Sequence, residues 1–148
     1  MAYYVDTCIY VNLWQKETGR HGQPFWRYAA EFFRIIEEKE EILCFSGFVL
    51  KEIQFILSPE EFMKKRPAFD LPPFWKIPAD DYAYSQAREL ESREQYIISF
   101  FDCMHIVLAL RSSSVLITRD RKLLEIAKKY CDAATPEEII WRLSREGL

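Results

Sequence analysis

Short apolar, β-prone runs recur along the chain with helix-period stretches between them, and this alternation limits the possible folds more than any other feature. The runs cover residues 3–5, 42–45 and 115–118, with a short edge strand expected over 131–134. Helical spacing fills the intervals. One helix is expected over 8–16, with Thr7 able to cap it, and a second over 23–40, with Phe25, Tyr28, Ala29, Phe32, Phe33 and Ile36 on one face. Further helices are expected over 48–57, 79–92 and 103–110, and from Asp120 onward. Thr135-Pro136-Glu137-Glu138 is a strong helix start, with threonine at the cap and proline in the first turn. Residues 58–78 carry five prolines together with Phe62, Phe69, Leu71, Phe74 and Trp75. That much apolar surface excludes a disordered linker, so a short helix followed by a packed loop is expected there. Strands alternating with helices imply an α/β architecture with a mostly parallel sheet.

With 148 residues and 49% hydrophobic content, the chain is expected to form a single domain over residues 1–148. No run of 18 apolar residues marks a membrane span, and the N-terminus lacks the sections of a signal peptide. Four scattered cysteines with no C-x-x-C pair point to reduced thiols, not to zinc or a disulfide framework. A cytoplasmic location is the expectation. The aromatic share of 16% suits dense packing and a subunit interface. A net charge of −3 argues against a nucleic-acid partner at first sight. The objection weakens if four carboxylates are set aside as metal ligands, which turns the sum positive. Basic clusters at 64–66, 119–122 and 128–129 fit phosphate contacts or a solvated helix face equally well.

In a parallel sheet, sites form beyond the carboxyl ends of the strands. Asp6, Glu52, Asp102 and Asp120 each fall at such a place, or on a helix able to point there. Asp6 is the most informative, because a carboxylate ending a buried strand is costly unless it is paired, hydrogen-bonded or metal-bound. Helix capping is its alternative role, and it is also the alternative for Asp102 and Asp120. A surface salt bridge, for instance to Lys51, is the alternative for Glu52. Gathered acidic groups repel and need a cation to coexist, and hard oxygen donors suit Mg²⁺ or Mn²⁺. Such a site points to phosphodiester hydrolysis by a metal-activated water. Thr118 could bond a phosphate or a metal-held water, with Arg119 and Arg121 as further substrate contacts. His105, three residues after Asp102 on the same helical side, could be a ligand or proton shuttle, but a lone histidine in an apolar helix is more often a packing residue, and that reading is favoured. No G-x-G-x-x-G or Walker loop is present, and neither Cys8 nor Cys103 has the basic setting of a nucleophile.

The ordered set Tyr-Val-Asp-Thr at 4–7, Glu52, Phe-Asp-Cys-Met-His-Ile-Val-Leu-Ala at 101–109 and Leu-Ile-Thr-Arg-Asp at 116–120 resembles the PIN-domain nucleases. It is especially similar to the short members that act as VapC-type ribonuclease toxins. The resemblance extends over nearly the whole chain. It implies a three-layer α/β/α fold around a five-stranded parallel sheet, Mg²⁺ or Mn²⁺, and RNA as substrate. Asp6 and Asp102 would be the principal metal ligands, completed by Glu52 and Asp120. It also implies a homodimer neutralised by an antitoxin. Two rival readings remain: an inactive PIN-like module that docks RNA or protein, and a metal-dependent phosphohydrolase. The latter is disfavoured because Asp6-Thr7-Cys8 is not an Asp-x-Asp pair.

Overall fold

A computed structural model describes residues 1–146, so residues 147 and 148 of the expected domain lie outside the described residues. The strands are β1 (Ala2–Val5), β2 (Ile42–Phe45), β3 (Phe74–Lys76), β4 (Val115–Ile117) and β5 (Ala133–Ala134). All pairings are parallel, in the order β3-β2-β1-β4-β5, so β1 is central. The helices are α1 (Thr7–Trp14), α2 (Phe25–Glu38), α3 (Gly47–Ile56), α4 (Pro59–Lys65), α5 (Asp81–Arg93), α6 (Phe100–Arg111), α7 (Arg121–Ala127) and α8 (Pro136–Glu146). The α/β/α layering expected from the sequence is what forms.

Side chains of neighbouring residues on a strand face opposite ways, and β1 shows how this builds two cores. Tyr3 meets Phe32 of α2 edge-on, with ring centroids 5.9 Å apart, on the side where α1, α2 and α8 pack. Tyr4 turns the other way, to His105 of α6, where α3 and α5 also pack. Both tyrosines are buried, as is all of β4. A strand covered on both faces needs an unbroken apolar run, which is why 3–5 and 115–117 read so plainly.

The segment 58–78 departs from expectation. It contains α4 and a 3-10 turn over Arg66–Asp70, as a short helix and loop would, but then supplies the edge strand β3. Prolines 72 and 73 precede that strand and mask it, because an edge strand needs its ladder on one side only. Phe69 and Phe74 pack on each other at 4.8 Å and on Phe45, which fixes the segment against β2. At the other edge, β5 is only two residues, shorter than the expected 131–134. The expected caps also shift. Asp6, rather than Thr7, caps α1, and Ser99 caps α6 in a box with Asp102.

Candidate active site

Parallel strands all end on one rim, and β1, as the central strand, delivers Asp6 to its middle. The Asp6 backbone N–H donates to the Ile117 carbonyl at 2.8 Å, which locks the β1 end to β4. The residue is 6% exposed, and its carboxylate accepts three hydrogen bonds. Oδ1 accepts from the Thr7 N–H at 2.8 Å, and Oδ2 accepts from the Thr118 hydroxyl at 2.8 Å and from the Cys8 thiol at 3.4 Å. Capping and site membership are therefore not alternatives for Asp6. One oxygen serves the helix, and both remain at the rim.

The second strand end supplies a polar chain. Ser46, just after β2, bonds the Tyr4 hydroxyl at 2.6 Å, and Tyr4 bonds His105 Nδ1 at 2.8 Å. His105 Nε2 lies 2.5 Å from Glu52 Oε1 and 3.8 Å from Asp6 Oδ1. Glu52 also accepts from the Thr7 hydroxyl at 3.2 Å. One ligand atom from each of Asp6, Glu52 and His105 lies within 4.8 Å of the others. Reading His105 as a packing residue is thus incomplete. It is fully buried, but it bonds two polar groups and stands among the carboxylates. Glu52 meets His105 and Thr7 instead of Lys51.

The remaining carboxylates form the outer part of the site. Asp102 sits at the third position of α6, where its carboxylate accepts from the Ser99 N–H at 3.4 Å. Burial and the Asp6 charge push its pKa up to about 6, with Asp120 adding to the rise. Asp120 is exposed and caps α7 through the Leu123 N–H at 3.1 Å. Thr118 links the two strand ends, because its hydroxyl donates to Asp6 and accepts from the Asp120 N–H at 3.1 Å. Arg119 is held by Glu137 through two hydrogen bonds and by Asn12, and it stacks over Phe25 at 3.9 Å. Arg121 is exposed and makes no ion pair among the described residues. An open cleft of about 550 Å³ runs beside Asp120, lined by Cys8, Asn12, Lys16 and Arg119.

Electrostatics follow from crowding and burial. Burial pushes the Asp6 carboxyl above its usual range, partly offset by His105 and the Thr118 bond. Burial also disfavours the His105 cation, but the bond to Glu52 and the charges of Asp6, Glu52 and Asp102 outweigh it and raise its pKa. Two carboxyls held above their ordinary range mark a place that favours added positive charge. The donor set brought together, the carboxylates of Asp6 and Glu52 with the His105 imidazole, suits a hard or borderline divalent cation, while Asp102 and Asp120 stand outside that trio. The residues present therefore fit Mg²⁺ or Mn²⁺.

Sequence reasoning missed Tyr4 and Ser46, named Thr7 only as a helix cap, and ranked a ligand role for His105 below packing. One signal was available: a tyrosine in a doubly buried strand needs a partner for its hydroxyl.

The sequence profile of the PIN domain matches residues 3–129, and the chain belongs to the PIN-domain family. Solved structures agree with this fold. VapBC-1 from nontypeable Haemophilus influenzae is similar at TM-score 0.66 and 14% identity, covering 93% of this chain and 99% of that one. VapBC2 from Rickettsia felis, solved with a DNA fragment from its promoter, is similar at TM-score 0.65 and 16% identity, over 91% and 98%. Mycobacterium tuberculosis VapC20, described as a Sarcin-Ricin loop cleaving toxin, is similar at TM-score 0.65 and 17% identity, over 82% and 92%. A search of curated protein sequences returned no match. Among the described residues, no helix is long and apolar enough to cross a membrane.

Proposed function

We propose that this protein is a divalent-metal-dependent endoribonuclease, and that it serves as the toxin of a VapBC-type toxin–antitoxin pair in the cytoplasm. The observation that carries the nuclease reading is Asp6. It is a buried carboxylate at the end of the central strand, with Glu52 and His105 beside it and Asp102 within electrostatic reach. Asp6 and Asp102 would hold the cation, with Glu52 and Asp120 completing the set. A divalent cation at this position lowers the pKa of water and offsets the charge of a phosphodiester.

The chain's own residues prepare that position. Thr7 N–H and Thr118 fix the Asp6 carboxylate from two directions, so it cannot swing toward solvent. His105 orients Glu52 and is itself oriented by Tyr4. The Tyr4–Ser46 bond closes the chain below, where both residues are fully buried. Arg121 would face the substrate, whereas Thr118, fully buried and bonded to Asp6 and to the Asp120 N–H, would act by holding Asp6 rather than by touching RNA. The Arg119 guanidinium is already bonded to Glu137, so it would act by shaping the cleft or after exchanging that partner. The toxin reading rests on VapBC1-like and VapBC2-like neighbours of nearly equal length. It implies an antitoxin that covers the site and a homodimeric toxin.

The test is cleavage of total RNA by the purified protein in Mn²⁺, with the cut ends mapped. Attack by water with departure of the 3′-oxygen leaves a 5′-phosphate and a 3′-hydroxyl, and departure of the 5′-oxygen leaves a 3′-phosphate and a 5′-hydroxyl. Ends bearing a 2′,3′-cyclic phosphate would mean the RNA's own 2′-hydroxyl attacks, and no cleavage would leave the docking-module reading.

A further inference from the structure

An acidic centre that cuts a polyanion needs uncommitted positive charge nearby, because the strand's phosphates otherwise meet only carboxylates. Most arginines here are already spent on partners: Arg34, Arg66, Arg88, Arg93, Arg111 and Arg142 each hold a carboxylate, as Arg119 does. Arg121, at the start of α7 beyond β4, is not, and neither are Lys51 on α3 and Lys76 at the end of β3, on the other half of the sheet. Both lysines are exposed, neither makes an ion pair among the described residues, and both line one groove of about 390 Å³.

That groove belongs to the same rim as the carboxylates. Lys76 is the last residue of β3 and pairs in register with Phe45, one residue before Ser46. Lys51 immediately precedes Glu52 on α3. The groove wall is aromatic. Phe48 meets Tyr84 at 5.7 Å and Phe101 at 5.0 Å, and Phe101 is the neighbour of Asp102. Tyr84 remains 45% exposed. Two free ammonium groups beside an open aromatic face form the pairing that single strands use, with phosphates on the cations and a base on the ring. An acidic peptide would use the lysines but not the ring.

We infer that the groove between α3, the end of β3 and α5 holds single-stranded RNA on one side of the scissile bond. Lys51 and Lys76 take its phosphates, and Tyr84, backed by Phe48, stacks on a base. This inference rests on the nuclease reading above.

The test uses the full chain and a fluorescein-labelled single-stranded RNA 12-mer of mixed sequence. Binding is read by anisotropy in EDTA over a salt series, and cleavage is read in Mn²⁺. The variants are the Lys51→Ala/Lys76→Ala pair, the Lys51→Arg/Lys76→Arg pair, Tyr84→Ala, and, as a control, Lys39→Ala, since Lys39 caps the end of α2 just before the start of β2 and so lies away from the carboxyl-end rim. The double alanine variant should weaken binding roughly tenfold or more and flatten the log–log salt slope by about 1.4, at about 0.7 per lost phosphate contact. Its loss should fall on KM rather than kcat, and the double arginine variant should restore it. Tyr84→Ala should weaken binding by roughly fivefold or more with an unchanged salt slope.

The inference is overturned if wild type cleaves RNA while the double alanine variant matches Lys39→Ala in KM and salt slope. It is also overturned if decaglutamate competes as well as the RNA does, which would make the groove a peptide site. If wild type itself neither binds nor cleaves RNA, the nuclease reading fails first and this inference falls with it.

Discussion

Tyr4 and Tyr10 are both buried against the same sheet, on opposite faces, and their hydroxyls have opposite fates. The Tyr4 hydroxyl sits between Ser46 and His105 in a chain that ends on Glu52. Tyr10 lies among Trp14, Phe33, Phe69 and Phe74, and its hydroxyl finds no hydrogen-bond partner among the described residues. The Tyr10 face is a packing core in which an orphan polar atom is tolerated. The Tyr4 face runs a continuous polar path through the interior to the rim, and a buried path of that kind is stable only when every member is satisfied. Its purpose is legible from where it ends, at the carboxylates.

The comparison can be broken at its centre. His105→Leu removes the one group that bonds both Tyr4 and Glu52, so it should cost about 3 kcal/mol of stability and most of the cleavage activity. Chemical denaturation with a parallel RNA assay would check it, and a loss under about 1 kcal/mol would mean the polar path is incidental. Tyr4→Phe leaves His105 Nδ1 and Ser46 unpaired and should cost about 1–2 kcal/mol by the same measurement.

Asp102 sharpens the contrast through pH. Its pKa of about 6 lies above the ordinary 3.8, so between those values the metal-free folded chain binds more protons than the unfolded one. This group's contribution to stability therefore falls as pH rises from about 4 to about 6. In EDTA, the Tm of Asp102→Asn should show less of that fall than wild type does. Mn²⁺ should raise the wild-type Tm more at neutral pH than at pH 5. Smallest of all, Tyr10→Phe deletes an unpaired buried hydroxyl and should leave the protein unchanged or more stable by about 1 kcal/mol. A clear destabilisation would show that Tyr10 has a partner and that the two faces are more alike than described.

The sheet's centre was readable in sequence because strands buried on both faces leave continuous apolar runs, as at Tyr3-Tyr4-Val5 and Val115-Leu116-Ile117. Its edges were not. β3 is three residues behind two prolines, and β5 is two alanines. The same division holds at the candidate site. Asp6 announced itself by standing at the end of a buried run. His105 did not, because its partners Tyr4 and Glu52 are 101 and 53 residues away and only the fold brings them together. Arg119 was singled out as a substrate contact, but Glu137, which holds it, lies across a strand and a helix in the sequence. Long-range pairing of this kind leaves no periodicity to read.

On the proposed reading, the carboxylates at the strand-end rim form a divalent-metal nuclease centre. Its most direct test is the rate of single-stranded RNA cleavage against Mn²⁺ concentration for wild type and Asp6→Asn, with folding checked by circular dichroism. Cleavage by wild type should show saturable Mn²⁺ dependence that EDTA abolishes, and a folded Asp6→Asn variant should lose at least about a thousandfold in rate. Equal rates in the two proteins, or cleavage that persists in EDTA, would contradict it.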